Sequence, residues 1–138
     1  MNDFVQTTTP YQLLGGETAV RRLVECFYQI MDSDPVAAGV RALHREDLSE
    51  PRERLFMFLS GWLGGPQLFV ERFGHPKLRA RHLPFAIDER ARDEWLYCMY
   101  KAMDELEVSG EIQLNQDMRD HLEQAFWRTA DFMRNREG

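Results

Sequence analysis

Four histidines, His44, His75, His82 and His121, are the residues of this 138-residue chain best equipped for chemistry. None completes a Glu-x-x-His pair, so a two-iron carboxylate bundle has no ligand set here. The His-Glu-x-x-His and Cys-x-x-Cys patterns of common zinc sites are missing as well. There is no glycine loop shaped for phosphate and no Gly-x-Ser-x-Gly elbow, which leaves conventional hydrolase chemistry without a foothold. Cys26 and Cys98 stand among apolar neighbours in helical segments and read as small buried hydrophobes. A net charge of −6 argues against nucleic acid, whose binding needs a basic footprint.

What remains is His82, with Lys77, Arg79 and Arg81 before it and Leu83, Pro84 and Phe85 after it. One imidazole is enough to hold a haem iron from one side. That cofactor is a flat apolar disc with two carboxylate tails, so it wants one histidine, an apolar slot and nearby cations. The segment 75–87 offers all three. Spacing alone leaves the alternative open, a structural histidine near a helix end.

The elements that must position these residues are helical. From Thr18 to Met31 the apolar residues Ala19, Val20, Leu23, Val24, Phe27, Tyr28, Ile30 and Met31 make one wide stripe. Gly15-Gly16 precedes that helix, and Asp32-Ser33-Asp34-Pro35 ends it. A weakly helical stretch runs to Leu43, then a polar link from His44 to Pro51, with Ser49 as a candidate N-cap. The next helix carries Leu55, Phe58, Leu59, Trp62 and Leu63 and breaks at Gly64-Gly65-Pro66. Between Gly74-His75-Pro76 and Leu83-Pro84 only one short helix fits, with His82 near its end. Two longer helices close the chain, one opened by Asp88 and holding Trp95 and Met99, the other holding Leu122 and Phe126. The stretch 64–87 reads as largely irregular yet holds Leu68, Phe69, Phe73, Leu78, Leu83, Phe85 and Ile87. Irregular backbone of such apolar content either wraps a cofactor or packs on the core. The expectation is one all-α domain over 1–138 with about four main helices, residues 1–10 forming a loose extension. There is no apolar run of membrane-spanning length and no basic-then-apolar leader, which makes a cytoplasmic product the default.

At these residues a resemblance becomes specific. Gly64-Gly65-Pro66-Gln67-Leu68-Phe69 and the run Gly74-His75-Pro76-Lys77-Leu78-Arg79-Ala80-Arg81-His82-Leu83-Pro84-Phe85-Ala86-Ile87 resemble the group II truncated haemoglobins. So do Arg92-Asp93-Glu94-Trp95-Leu96-Tyr97-Cys98-Met99, Phe27-Tyr28, and the stretch from Tyr11 to Gly16. The resemblance spans residues 11–133 and implies a truncated globin, a two-over-two helical sandwich around one haem.

It also implies roles. His82 matches the proximal iron ligand of haem b (iron protoporphyrin IX). Tyr28 and Trp95 match the ligand-side donors, and His44 the position that opens the polar link. Phe58 and Leu59 match residues packed on the haem, while Pro51 and Leu55 stand where some members carry polar side chains. Leu68, Phe85, Ile87 and Met99 are further candidates for the apolar slot, and Arg79, Arg81 and His75 for the propionates. The chain departs from some members in a longer interval between Tyr28 and His44, the extra length falling in residues 34–39. The implied function is binding and transport of dioxygen, with carbon monoxide and nitric oxide as further ligands. The alternative is redox chemistry, nitric oxide oxidation or peroxide reduction, fed by a separate reductase. Either suits a monomer or homodimer.

Overall fold

The computed structural model describes residues 8–137, and within them every regular element is helical. The apolar stripe of the first long helix becomes α2 (Gly16–Ser33), with Val20, Leu23, Phe27 and Met31 almost wholly enclosed. A short helix not expected from the sequence, α1 (Pro10–Leu14), precedes it. Thr9 caps α1 with Gln12 in a reciprocal capping box, and proline occupies its first turn. Gly15 is shared as the last cap of α1 and the first of α2, at φ 131°, a conformation that side chains resist. Of the expected N-terminal extension, residues 1–7 lie outside the described residues.

A 3-10 turn (Pro35–Ala37) and the short α3 (Ala38–Ala42) follow, then α4 (Ser49–Trp62). Ser49 is not the N-cap: Leu48 holds that position without a side-chain bond, and Ser49 is the first helical residue. The Asp47 carboxylate accepts the Ser49 backbone N–H at 2.9 Å in an Asx turn, which satisfies the first free amide of the helix from outside it. The stretch 64–87 is less irregular than expected. Besides the short helix expected to end near His82, α6 (Leu78–His82), it contains α5 (Leu68–Phe73), too brief to show a helical period in the sequence. Asp88 does cap α7 (Glu89–Ser109) through the Ala91 N–H, and Gly110 ends it in the left-handed region. Asn115 caps α8 (Gln116–Phe132).

Two helix pairs make the frame: α4 packs on α2, and α8 packs on α7. The pairs are joined where α2 meets α7, and α3 also rests on α7. One continuous apolar core runs through them. No helix among the described residues is long and apolar enough to cross a membrane.

Both cysteines lie in that core as free thiols. Burial first, with Glu105 nearby, pushes the Cys26 thiol up to about 11, and burial pushes Cys98 up to about 12. The thiolate is the reactive form, so Ellman's reagent should find no thiol in the native protein and two after unfolding. Rapid reaction of the native protein would show that α2 or α7 opens locally.

Candidate functional site

His82 is the last residue of α6, a helix of five residues. The turn leading into it is tight: Lys77 adopts φ 48°, and its backbone N–H donates to Nδ1 of His75 at 3.1 Å. His75 is exposed and caps that turn, so one of its nitrogens is already spent. The His82 Nδ1 lies 2.6 Å from the Leu78 carbonyl oxygen. A carbonyl can only accept, so the ring proton sits on Nδ1 and the lone pair on Nε2. Among the described residues Nε2 has no protein partner. This is the arrangement a metal-binding imidazole needs, a backbone acceptor on one nitrogen and a free lone pair on the other.

The segment around His82 is held by the residues that follow α8. Asn135 donates through Nδ2 to the carbonyls of His82 (3.1 Å) and Phe85 (2.9 Å), while its Oδ1 accepts the Ile87 N–H (2.9 Å). Arg79 donates to the carbonyls of Phe132 and Arg134 at 2.9 and 2.7 Å. Its guanidinium is therefore a tether to the end of α8, which the sequence could not show.

A wall from α2, α7 and the turn after α3 carries the other candidate residues. Tyr28 is only 5% exposed, yet its hydroxyl makes just one long bond, 3.5 Å to the Pro51 carbonyl. Burial pushes the phenol far above its ordinary range, with the charge of Arg52 working against this, so Tyr28 stays an O–H donor. Phe27 lies edge-on to both Tyr28 (4.9 Å) and Trp95 (5.1 Å). The half-buried Trp95 has no protein acceptor for its indole N–H among the described residues. His44 sits 5.9 Å from the Tyr28 ring, with its Nδ1 3.0 Å from the Val40 carbonyl oxygen. Burial lowers its pKa; the Val40 bond opposes this, and the charges of Arg41 and His82 reinforce it.

Below this wall an aromatic belt continues from Trp95 through Phe126, Trp62, Phe58 and Phe69 to Phe73. Three guanidiniums gather on its end. Arg81 lies 5.3 Å from the Phe69 ring, and Arg54 and Arg72 lie 5.1 and 5.2 Å from that of Phe73. Among the described residues only Arg54 has a carboxylate within reach, Glu50 at 3.5 Å. Three cations with one partner make a place for anionic groups. Sequence reasoning named Arg81 and missed Arg54 and Arg72, because their helices place them there, not their spacing.

Leu55 and Phe58 are half-buried on α4, and Ile87 is half-buried after α6. Phe85 is 43% exposed beside His82, with ring centroids 6.5 Å apart. Leu59 and Met99, by contrast, are enclosed by protein at 1% and 0% exposure and belong to the core. Leu68 lines a groove of about 510 Å³ with Tyr11, Phe56, Met57 and Arg72.

The Bacterial-like globin family matches residues 9–132. The group II 2-on-2 haemoglobin of Agrobacterium tumefaciens superposes with a TM-score of 0.88 at 40% identity, covering 99% of this chain and 100% of that one. The chain belongs to the group II truncated haemoglobins. The cold-adapted truncated haemoglobin of Pseudoalteromonas haloplanktis TAC125 is 46% identical, with a TM-score of 0.85 over 93% of this chain and 98% of its own. The truncated oxygen-avid haemoglobin of Bacillus subtilis is 38% identical, with a TM-score of 0.80 over 92% of this chain and 99% of its own. Membership makes haem the cofactor of this truncated haemoglobin, and its residues fit that group. A free imidazole nitrogen, an underused buried hydroxyl donor and an arginine cluster for two carboxylates are what a haem requires.

Proposed function

We propose that this truncated haemoglobin binds dioxygen, and also carbon monoxide and nitric oxide, at a haem b whose iron is held by His82. A haem there supplies reversible coordination of diatomic gases and one-electron chemistry. The chain's own residues do the rest. His82 offers the Nε2 lone pair while Leu78 keeps its ring oriented. Tyr28 and Trp95 offer an O–H and an N–H to a polarised ligand. Arg81, Arg54 and Arg72 hold the propionates, with Phe58, Leu55, Phe85 and Ile87 against the apolar faces.

The observation that carries this reading is the Tyr28 hydroxyl, buried to 5% exposure with one bond at the distance limit. A buried donor so poorly paired costs about 1–3 kcal/mol unless a ligand completes it. The B. subtilis relative is described as oxygen-avid, which agrees with such a donor set. The test is the ferrous protein in air: a stable oxygen complex that reverts on deoxygenation supports the reading. Rapid turnover of nitric oxide or peroxide with a reductant, without a stable oxygen complex, would replace it with the redox alternative. A cytoplasmic location belongs to the same proposal.

The propionate assignment separates the arginines. Arg81→Glu and Arg54→Glu should each speed haem loss severalfold, as charge attraction turns to repulsion, while leaving the iron's spectrum unchanged. Haem transfer to an acceptor protein measures this, and unaltered loss rates in both variants would refute the assignment.

A further inference from the structure

The carboxylate of Glu94 is almost completely enclosed, at 6% exposure, although it lies one residue from Trp95 on α7. Its Oε1 accepts the Val40 backbone N–H at 2.7 Å. Its Oε2 accepts from Arg90 at 3.0 Å, but the Arg90 side chain is 84% exposed, so that ion pair is weak compensation. A buried carboxylate is costly unless its lone pairs are satisfied, so the bond to Val40 is the main return on burying it. Space has been cleared for it as well. A Cβ on Gly39 would fall 2.8 Å from Oε1 and 3.1 Å from Oε2, so any larger residue there makes the carboxylate shift. The carbonyl of the same residue, Val40, is the acceptor for His44 Nδ1.

We propose that Glu94 is a positioning residue for the ligand pocket: by anchoring Val40 from α7 it fixes the carbonyl that dictates which nitrogen of His44 carries the proton. The inference rests on Tyr28, His44 and Trp95 forming the ligand-side wall. With Nδ1 donating to Val40, neutral His44 presents Nε2 as an acceptor. An acceptor beside Tyr28 takes no share of the ligand's lone pairs and leaves donation to Tyr28 and Trp95. The long interval between α2 and His44 is fastened at its other end too. Asp34 accepts from Tyr97 Oη at 2.6 Å and Lys101 Nζ at 3.0 Å, both on α7. Residues 34–40 are thus pinned at each end, and Glu94 holds the end nearer His44.

The experiment is 15N NMR of the His44 ring in the carbon monoxide complex, together with oxygen dissociation by stopped flow. The wild type should show the Nδ1–H tautomer. Glu94→Ala should show a mixed or Nε2–H tautomer and a dissociation rate changed about threefold or more, whereas Glu94→Gln, which keeps an oxygen for Val40, should retain both values. Gly39→Ala should reproduce the Glu94→Ala result by displacing the carboxylate. The Gly39→Ala/Glu94→Ala double variant should then be no worse than Glu94→Ala. A wild-type tautomer in Glu94→Ala or Gly39→Ala would overturn the proposal, as would equal loss in Glu94→Gln. Tyr28→Phe, run in parallel, tests the wall itself. If it leaves the oxygen rate unchanged, the wall reading fails, while the tautomer still decides the role of Glu94.

Discussion

His82→Gly should purify without haem unless imidazole is supplied. The structure offers no substitute on that side. His75 is exposed with one nitrogen spent on the Lys77 amide, and His44 belongs to the opposite wall. A glycine at the end of α6 costs about 1 kcal/mol of local helix stability, too little to unfold a chain with so continuous a core. Added imidazole should enter the space vacated by the ring and restore a five-coordinate ferrous spectrum. That rescue separates loss of a ligand from loss of a fold. A variant that kept the wild-type spectrum and haem affinity in imidazole-free buffer would remove His82 from the iron.

Trp95→Phe should raise the oxygen dissociation rate about tenfold, the factor expected when one hydrogen bond of roughly 1.4 kcal/mol is lost. Phenylalanine keeps the edge-on contact with Phe27 and the packing on Phe126, so the change is chiefly the missing N–H. Carbon monoxide binds with little charge separation and should gain much less in dissociation rate. Equal factors for the two gases would show that Trp95 works by sterics. Tyr28→Phe should act in the same direction, and because both donors meet at one ligand, the double variant should depart from additivity.

The helices, and the place of His82 at the end of a short one, were legible because each leaves a local mark. The stripe of α2, the Asp88 cap and the Gly74 and Pro84 breaks all act within a few residues of what they determine. Where several local solutions exist, the mark misleads: Ser49 looks like a cap, but it is the first helical residue, and Asp47 two residues before it takes its amide. The site's supports were illegible because they act across the chain. Arg79 and Arg81 look alike in sequence, yet one is drawn to the α8 carbonyls and the other to the Phe69 ring. Arg54, Arg72, Asn135 and Glu94 carry no motif. Their importance comes from what folding brings beside them, a Phe ring, a bare carbonyl or an amide from a distant turn. The same holds for Met99, which the sequence marks only as apolar and which folding encloses in the core.

The bonds from Asn135 and Arg79 also set an order of events during synthesis. Asn135 is made 53 residues after the His82 whose carbonyl it holds. At about 5–20 residues per second, that is a delay of roughly three to ten seconds on the ribosome. Throughout this interval α6 exists as five residues with neither tether in place, too short to persist as a helix by itself. The segment that carries His82 is therefore fastened only after the tail beyond α8 has been made, so a nascent chain stalled before residue 132 leaves that segment untied.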